Sequence, residues 1–434
     1  MSGRLPVALQ TYRLLSAAAT PVVPLFLAER KRRGKEHAER IGERRGIATV
    51  ARPRGGLVWV HGASVGELAS VLPLIERITE REVNVLVTTG TVTSGDVAEQ
   101  RLPAGALHQF APLDVPIYVR RFLAHWRPDL ALFVESDLWP NRIVEASRRG
   151  VPMIMVNGRL SDNSFQRWRK LPAAIGDLLG RFDLCLARTL ADAQRLSALG
   201  APRIVAAGDL KLDVPAPPCD DGKLAALRAA VGNRPLIAAA STHEGEEAAM
   251  ISAHQRLRTN FPGLLTIIAP RHPERGPAVA DLVRAAGLRA ALRSRGEMPD
   301  AATDIYVADT MGELGLLFRL APVVFVGGSL VKHGGQNPIE PAKLGAAILH
   351  GPHVWNFAEV YAALDAAHGA ERVDDTGRLT AGLGAMLAQP AARKAVADAA
   401  RGTVEGLSGA LERTLNAIEP YLMQLRLGRR AGHA

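Results

Sequence analysis

Short, wholly apolar runs alternate along this chain with longer stretches in which apolar positions recur every three or four residues. The run at 57–61 (LVWVH) reads as a buried strand, 62–66 as a loop and 67–79 as a helix. Runs at 83–89, 130–134, 153–157 and 204–207 continue the series of strands. Around 209–221 (DLKLDVPAPPCDD) the hydrophobic period lapses into a proline-rich linker. The alternation then restarts with strands at 236–240, 264–269, 305–308, 323–326 and 347–350, and a largely helical, alanine-rich tail follows Phe357. Strands that are apolar throughout, separated by helices, imply parallel sheets covered on both faces. The pattern therefore predicts an α/β protein of two doubly wound domains with a cleft between them. Its expected parts are an N-terminal segment 1–46, a first domain 47–210, a linker 211–222 and a second domain 223–434 that includes the tail.

Charge adds to this picture. Lys and Arg number 53 against 43 Asp and Glu, a formal +10, which admits nucleic acid, an acidic membrane or an anionic substrate as partner. The densest basic run is Arg30, Lys31, Arg32, Arg33 and Lys35, followed by Arg40, Arg44 and Arg45; against Glu36, Glu39 and Glu43 it contributes +5. Just before it, residues 5–28 are apolar but interrupted by Arg13, Pro21 and Pro24. A full span is strained by the central arginine, and no small-residue cleavage site marks a signal peptide. An apolar segment followed by a polybasic one is the two-signal arrangement of a membrane anchor, so the segment is expected to lie in or dip into the bilayer, with its cations at anionic headgroups. The alternative is a helix docked on the protein's own core. Aromatics make up only 5% and are not interleaved with the arginines, which argues against nucleic acid. Two cysteines, Cys185 and Cys219, make neither a disulfide framework nor a zinc cluster.

Candidate chemistry lies in the loops after the strands, where doubly wound sheets bind ligands. His61-Gly-Ala-Ser-Val-Gly-Glu67 follows the first strand. Glu67, at a helix start, could cap that helix or serve as a general base. Glu135-Ser-Asp137-Leu-Trp-Pro-Asn141 follows another strand, and its two acids could hold a divalent metal or cap the helix whose first turn contains Pro140. The second half presents Ser241-Thr-His-Glu, Pro270-Arg271-His-Pro, Met311-Gly312-Glu313-Leu, Gly327-Gly-Ser, and Gly334-Gly-Gln-Asn337-Pro338-Ile339-Glu340-Pro at successive strand ends. Together they supply what a nucleotide needs: glycine N–H groups for a phosphate, a helix terminus, an arginine, and an acid for ribose hydroxyls. Lys211 opens the linker in a chain with only eight lysines, either as a solvated linker residue or as a cation for a substrate carboxylate or phosphate.

The ordered set HGASVGE, ESDLWPN, VNGRLSDNSF, STHEGEE, PRHPER, MGEL and GGQNPIEPAKLG resembles the 3-deoxy-D-manno-octulosonic acid (Kdo) transferases of Gram-negative bacteria, from the N-terminal segment through about Phe357. The resemblance implies a GT-B glycosyltransferase, two Rossmann-like domains facing across a cleft, that moves Kdo from CMP-Kdo to the lipid A precursor (lipid IVA) in lipopolysaccharide core biosynthesis, without metal or other cofactor. It places the enzyme on the cytoplasmic face of the inner membrane, against anionic lipids. By motif, Glu67 falls on the family's catalytic base, and Glu135 or Asp137, with Lys211, on its transition-state stabilisers. Pro270, Arg271, Met311, Gly312, Glu313, Asn337, Pro338, Ile339 and Glu340 fall on its CMP-binding segments.

The residues suit that chemistry. A sugar hydroxyl is a poor nucleophile and needs a positioned carboxylate to take its proton. Arg271 and Lys211 would meet the charge developing on phosphate and sugar acid, and CMP departs as a monophosphate, which makes a metal-free single displacement with inversion reasonable. Two other classes remain on the sequence alone: a UDP-sugar transferase or epimerase of the same architecture, and a non-catalytic membrane-surface binding protein.

Overall fold

Leu57, Val58, Trp59 and Val60 are all buried, as a central parallel strand covered on both faces requires. A computed structural model describes residues 4–431 and builds two α/β units around such strands. The first unit comprises residues up to Val214 together with those from Ser408 onward; the second is Pro215–Leu407.

In the first unit, β1 (Leu57–His61), β2 (Asn84–Thr89), β3 (Ala106–Phe110), β4 (Leu130–Val134), β5 (Met153–Gly158), β6 (Leu184–Ala187) and β7 (Ile204–Ala206) form one sheet of order β3-β2-β1-β4-β5-β6-β7. Every pairing is parallel. In the second unit, β8 (Leu236–Thr242), β9 (Leu265–Pro270), β10 (Ala290–Leu292), β11 (Ile305–Val307), β12 (Val323–Val326), β13 (Ala347–His350) and β14 (Ala370–Arg372) follow the order β10-β11-β9-β8-β12-β13-β14, again all parallel. The chain reverses its winding between β1 and β4 in one sheet and between β8 and β12 in the other, and these switch points are where doubly wound sheets bind ligands. Four strands escape the hydrophobic reading: β3, β10 and β14, which lie toward the sheet edges and are short or part-polar, and the four-residue β6.

Two boundaries differ from expectation. The terminal helix Ala410–Ala431 belongs to the first unit, not to the second as part of 223–434. Its Leu415, Ile418 and Leu422 join the cluster that covers one face of the first sheet, with Val58, Val60 and Leu132. Asp213 accepts from the N–H groups of Gly409 and Leu411, both at 2.7 Å, and so fixes the start of the helix. Segment 1–46 is likewise part of the first unit. Helices Val7–Ala18 and Val23–Arg32 meet at 72°, and no single described helix is long and apolar enough to cross a membrane. Leu9 and Leu27 are buried, while Val7, Leu14, Leu15, Val22, Leu25 and Phe26 are exposed.

The basic run is also divided. Arg44 is buried, pairs with Glu36 at 2.8 Å and donates to the carbonyls of Ala111 and Gly90. Arg40 holds the buried Glu43 at 2.9 Å and lies against His108. These two therefore do not offer their charge to a membrane. Lys31, Arg32, Arg33, Lys35 and Arg45 are exposed. A second basic group closes the chain at Arg426, Arg429 and Arg430, and the side chains of Arg429 and Arg430 lie outside the described residues.

Candidate active site

β1 ends at His61, and helix Val65–Thr79 begins four residues after it. Ser64 is the N-cap, and its hydroxyl accepts the Glu67 N–H at 3.3 Å. Glu67 answers in kind, because its carboxylate accepts from the Ala63 N–H at 2.6 Å and from the Ser64 hydroxyl at 3.0 Å. Glu67 thus does close its helix, as the simpler reading had it. It is also half-buried, and burial raises its pKa above the usual carboxylate range. The Ala63 and Ser64 bonds oppose that rise, and the charges of Glu135 and Asp137 add to it.

The loop after β4 supplies those two charges. Glu135 sits in the left-handed region (φ 58°), which a non-glycine residue adopts only when its surroundings hold it there. Its carboxylate accepts from Lys211 Nζ at 3.2 Å. Lys211 lies in the turn Leu210–Leu212, which is fixed by Asn157 Oδ1 on the Leu210 N–H and by Asp209 Oδ1 on the Lys211 N–H, each at 3.0 Å. Asn157, at the end of β5, is left-handed as well (φ 53°). Asp137 Oδ2 lies 2.8 Å from His61 Nε2 and 3.7 Å from the guanidinium of buried Arg142. Burial alone would raise Asp137, but His61 and Arg142 overcome it and hold its pKa low. His61 is fully buried and is kept neutral by desolvation and by Arg142, whose Nη1 lies 2.6 Å from the same Nε2. A neutral imidazole nitrogen can serve either the carboxylate or the guanidinium, so the Asp137–Arg142 charge pair is the fixed element of this contact. Glu67, Glu135, Asp137 and Lys211 are thereby gathered at the switch point of the first sheet. Arg142, Asn157 and His61 are the parts that motif reading did not single out.

At the second unit's switch point, Arg271, Asn337 and Glu340 line a cavity of about 220 Å³ with Ser241 and Gln336. Arg271 makes no side-chain hydrogen bond or ion pair among the described residues. Pro270 ends β9, and Pro338 and Ile339 begin the short helix behind the cavity. Met311, Gly312 and Glu313 line a separate cavity of about 520 Å³ with Cys219 and Lys223, while Leu314, next in the chain, reaches the first. The Glu313 carboxylate is already taken by Arg293, Lys223 and Thr310, and Arg293 above all pulls its pKa down to about 2. That makes Glu313 an anchor for its loop, and Glu340 the acid that borders the smaller cavity.

One expectation is overturned here. The glycines of Gly327-Gly328-Ser329 were read as offering N–H groups to a phosphate. Instead the buried carboxylate of Glu246 accepts from the N–H groups of Gly328 (2.7 Å), Ser329 and Leu330 (both 2.9 Å), and also from that of His243 (2.9 Å). An internal acid occupies the place of an anion. Gly327 is required for a different reason: a Cβ there would lie 2.5 Å from the Ser241 carbonyl oxygen. His243 stacks on His333 with centroids 4.2 Å apart, and burial, followed by the neighbouring His333, His272, Arg271 and Arg275, lowers its pKa to about 4.

With this geometry in view, the comparisons with known proteins are direct. The family model described as 3-deoxy-D-manno-octulosonic-acid transferase (kdotransferase) matches residues 39–214. The 3-deoxy-D-manno-octulosonic acid transferase of Bordetella pertussis is 36% identical over 423 residues, 95% of this chain and 99% of that protein. The Haemophilus influenzae enzyme of the same name is 31% identical over 420 residues, 95% and 98% of the two chains. Among solved structures, a glycosyltransferase from Rickettsia africae shares the fold at a TM-score of 0.59 and 11% identity, covering 85% of this chain and 99% of that one. The chain belongs to the 3-deoxy-D-manno-octulosonic acid transferases, glycosyltransferases of GT-B fold.

Proposed function

We propose that the chain transfers Kdo from CMP-Kdo to the lipid A precursor, lipid IVA, by a single inverting displacement with Glu67 as general base. The observation that carries this reading is the Glu67 carboxylate, half-buried at a strand-to-helix turn with its pKa raised by burial and by Glu135 and Asp137. A raised pKa brings a carboxylate closer to the proton affinity that a general base needs. Lys211 and Arg271 supply positive charge for the sugar acid and the departing phosphate, and the smaller cavity of the second unit receives the nucleotide. Each acid of the ESD motif already faces a cation of the protein, Lys211 for Glu135 and Arg142 for Asp137, which supports a reaction independent of metal.

The same reading puts the protein on the cytoplasmic face of the inner membrane, where a phosphorylated lipid acceptor resides. The exposed apolar side chains of the first two helices, Leu14, Leu15, Val22, Leu25 and Phe26, lie next in sequence to exposed Lys31, Arg32, Arg33 and Lys35, a combination suited to an anionic bilayer surface.

Incubating the purified chain with CMP-Kdo and lipid IVA, and determining the mass and anomeric configuration of the product, tests the reading. The expected product is lipid IVA carrying Kdo with inverted configuration. Retention would refute the single displacement, and transfer from a UDP-sugar in its place would refute the donor.

A further inference from the structure

Helix Val7–Ala18 has two unlike faces. Val7, Leu14 and Leu15 are exposed, whereas Leu9 is buried and Tyr12, Arg13 and Ser16 turn polar groups inward. What they meet is the start of helix Pro140–Arg148, which carries the last residues of the ESDLWPN motif. That helix lacks a local cap: the Trp139 side chain at its N-cap makes no capping hydrogen bond, and Pro140 has no N–H. The missing acceptor comes from Asp114, a buried carboxylate far away in sequence. It accepts from the N–H groups of Asn141 at 2.9 Å and Arg142 at 3.0 Å. The Tyr12 hydroxyl donates to the same carboxylate at 2.9 Å. Arg13 donates to Asn141 Oδ1 at 3.2 Å and pairs with Glu145 one turn further on, and Asn141 in turn donates to Ser16 Oγ at 3.0 Å. Arg142, held this way at its backbone, places its guanidinium against His61 and Asp137 and donates to the Pro112 carbonyl at 2.8 Å.

We propose that the N-terminal helix is a positioning element of the transfer site: through Asp114 and Asn141, Tyr12 and Arg13 fix Arg142, and with it the Asp137–Arg142 pair. The proposal rests on the function proposed above in taking that pair as part of the site. It makes one helix serve two ends, with its outer face offered to the membrane and its inner face bonded to a catalytic motif. Tying the half-buried Arg13 to Glu145 and Asn141, in the middle of an otherwise apolar segment, is what such coupling requires, since a helix that served only as an anchor has no use for it.

The test uses the full chain carrying Tyr12→Phe with Arg13→Met, and Arg13→Lys as the conservative counterpart. Transfer from CMP-Kdo is measured on lipid IVA dispersed in detergent, so that bilayer docking does not limit the rate. CMP affinity, the thermal midpoint and amide exchange over 137–146 are measured beside it. In the double variant kcat should fall about tenfold or more while donor KM and CMP affinity stay within about twofold. Exchange over 137–146 should quicken more than exchange elsewhere in the first unit, the thermal midpoint should fall as buried Glu145 keeps only Arg148 and Arg149, and Arg13→Lys should recover most of the rate. An unchanged kcat overturns the proposal. So does a joint fall of kcat, CMP affinity and thermal midpoint, which would assign these residues to general stability. If the unmodified chain transfers no Kdo, the functional reading fails by itself, and the exchange comparison still decides whether the helix controls the loop.

Discussion

In the proposed reaction Glu67 has two tasks that pull against each other. As a cap it accepts from Ala63 and Ser64, and those bonds favour its charged form; as a base it must take up a proton. Burial and two neighbouring carboxylates restore the proton affinity that the cap removes. Glu67→Ala should therefore lose transfer by at least about a hundredfold, the usual scale for general-base catalysis. CMP binding should be unaffected, because the residues proposed for the nucleotide lie in the other unit; isothermal titration beside a turnover assay would show both. The sign of the pH dependence follows from the causes of the shift. A base raised in pKa loses activity as pH falls through that raised value. Glu135→Gln removes one of the negative charges raising it, so the acid limb of kcat/KM should move to lower pH, on top of any loss of rate. An acid limb that moves upward, or stays in place, would show that Glu135 does not act on Glu67.

At the scale of elements, the loops after strands carry the proposed chemistry and buried acids hold the loops. Glu246 is the clearest case, with four backbone N–H groups from two segments converging on one carboxylate. Glu246→Ala would leave these donors buried and unpaired, at about 1–3 kcal/mol for each that finds no water. The expected result is a lower thermal midpoint and a donor KM raised more than kcat is lowered, since the segments it ties together carry His243 and lead to Gln336 and Asn337. Asp213→Ala tests the returning tail. Loss of this cap should destabilise the first unit by about 1 kcal/mol and leave CMP affinity unchanged. These devices also mark the limit of sequence reading. Glu67, Glu135 and Asp137 stand in short contiguous motifs just after apolar runs, so pattern alone put them at strand ends. Asp114, Arg142 and Tyr12 act through contacts that only the fold creates, and nothing in their local sequence announces them. Glu246 stood inside a recognised motif, yet the glycines opposite it invited the opposite assignment, because a loop that binds an internal carboxylate looks the same in sequence as one that binds phosphate.

Over the whole molecule, the excess of positive charge divides into cations that build the fold and cations left on its surface. Arg44, buried between Glu36 and two carbonyls, belongs to the first kind; Lys31, Arg32, Arg33 and Lys35 belong to the second. Arg32 and Arg33 do pair with Glu29, but an exposed pair of this sort is weak and leaves both arginines open to other anions. The two kinds should respond oppositely to substitution. Replacing Lys31, Arg32, Arg33 and Lys35 together by Gln should weaken sedimentation with phosphatidylglycerol vesicles by roughly fivefold for each cation removed, with the thermal midpoint unchanged. Binding of the unmodified chain should also fall with added salt, as screening shortens the reach of surface charge. Arg44→Gln should do the reverse. It strips the buried Glu36 of one of its two arginine partners, so the midpoint should drop, by an amount corresponding to about 3–5 kcal/mol, while vesicle affinity stays the same. If the four-residue variant binds anionic vesicles as tightly as the unmodified chain, the basic run is not the membrane contact. In that case only the apolar face of Leu14, Leu15, Val22, Leu25 and Phe26 remains for that part, and neutral phosphatidylcholine vesicles should then bind equally well.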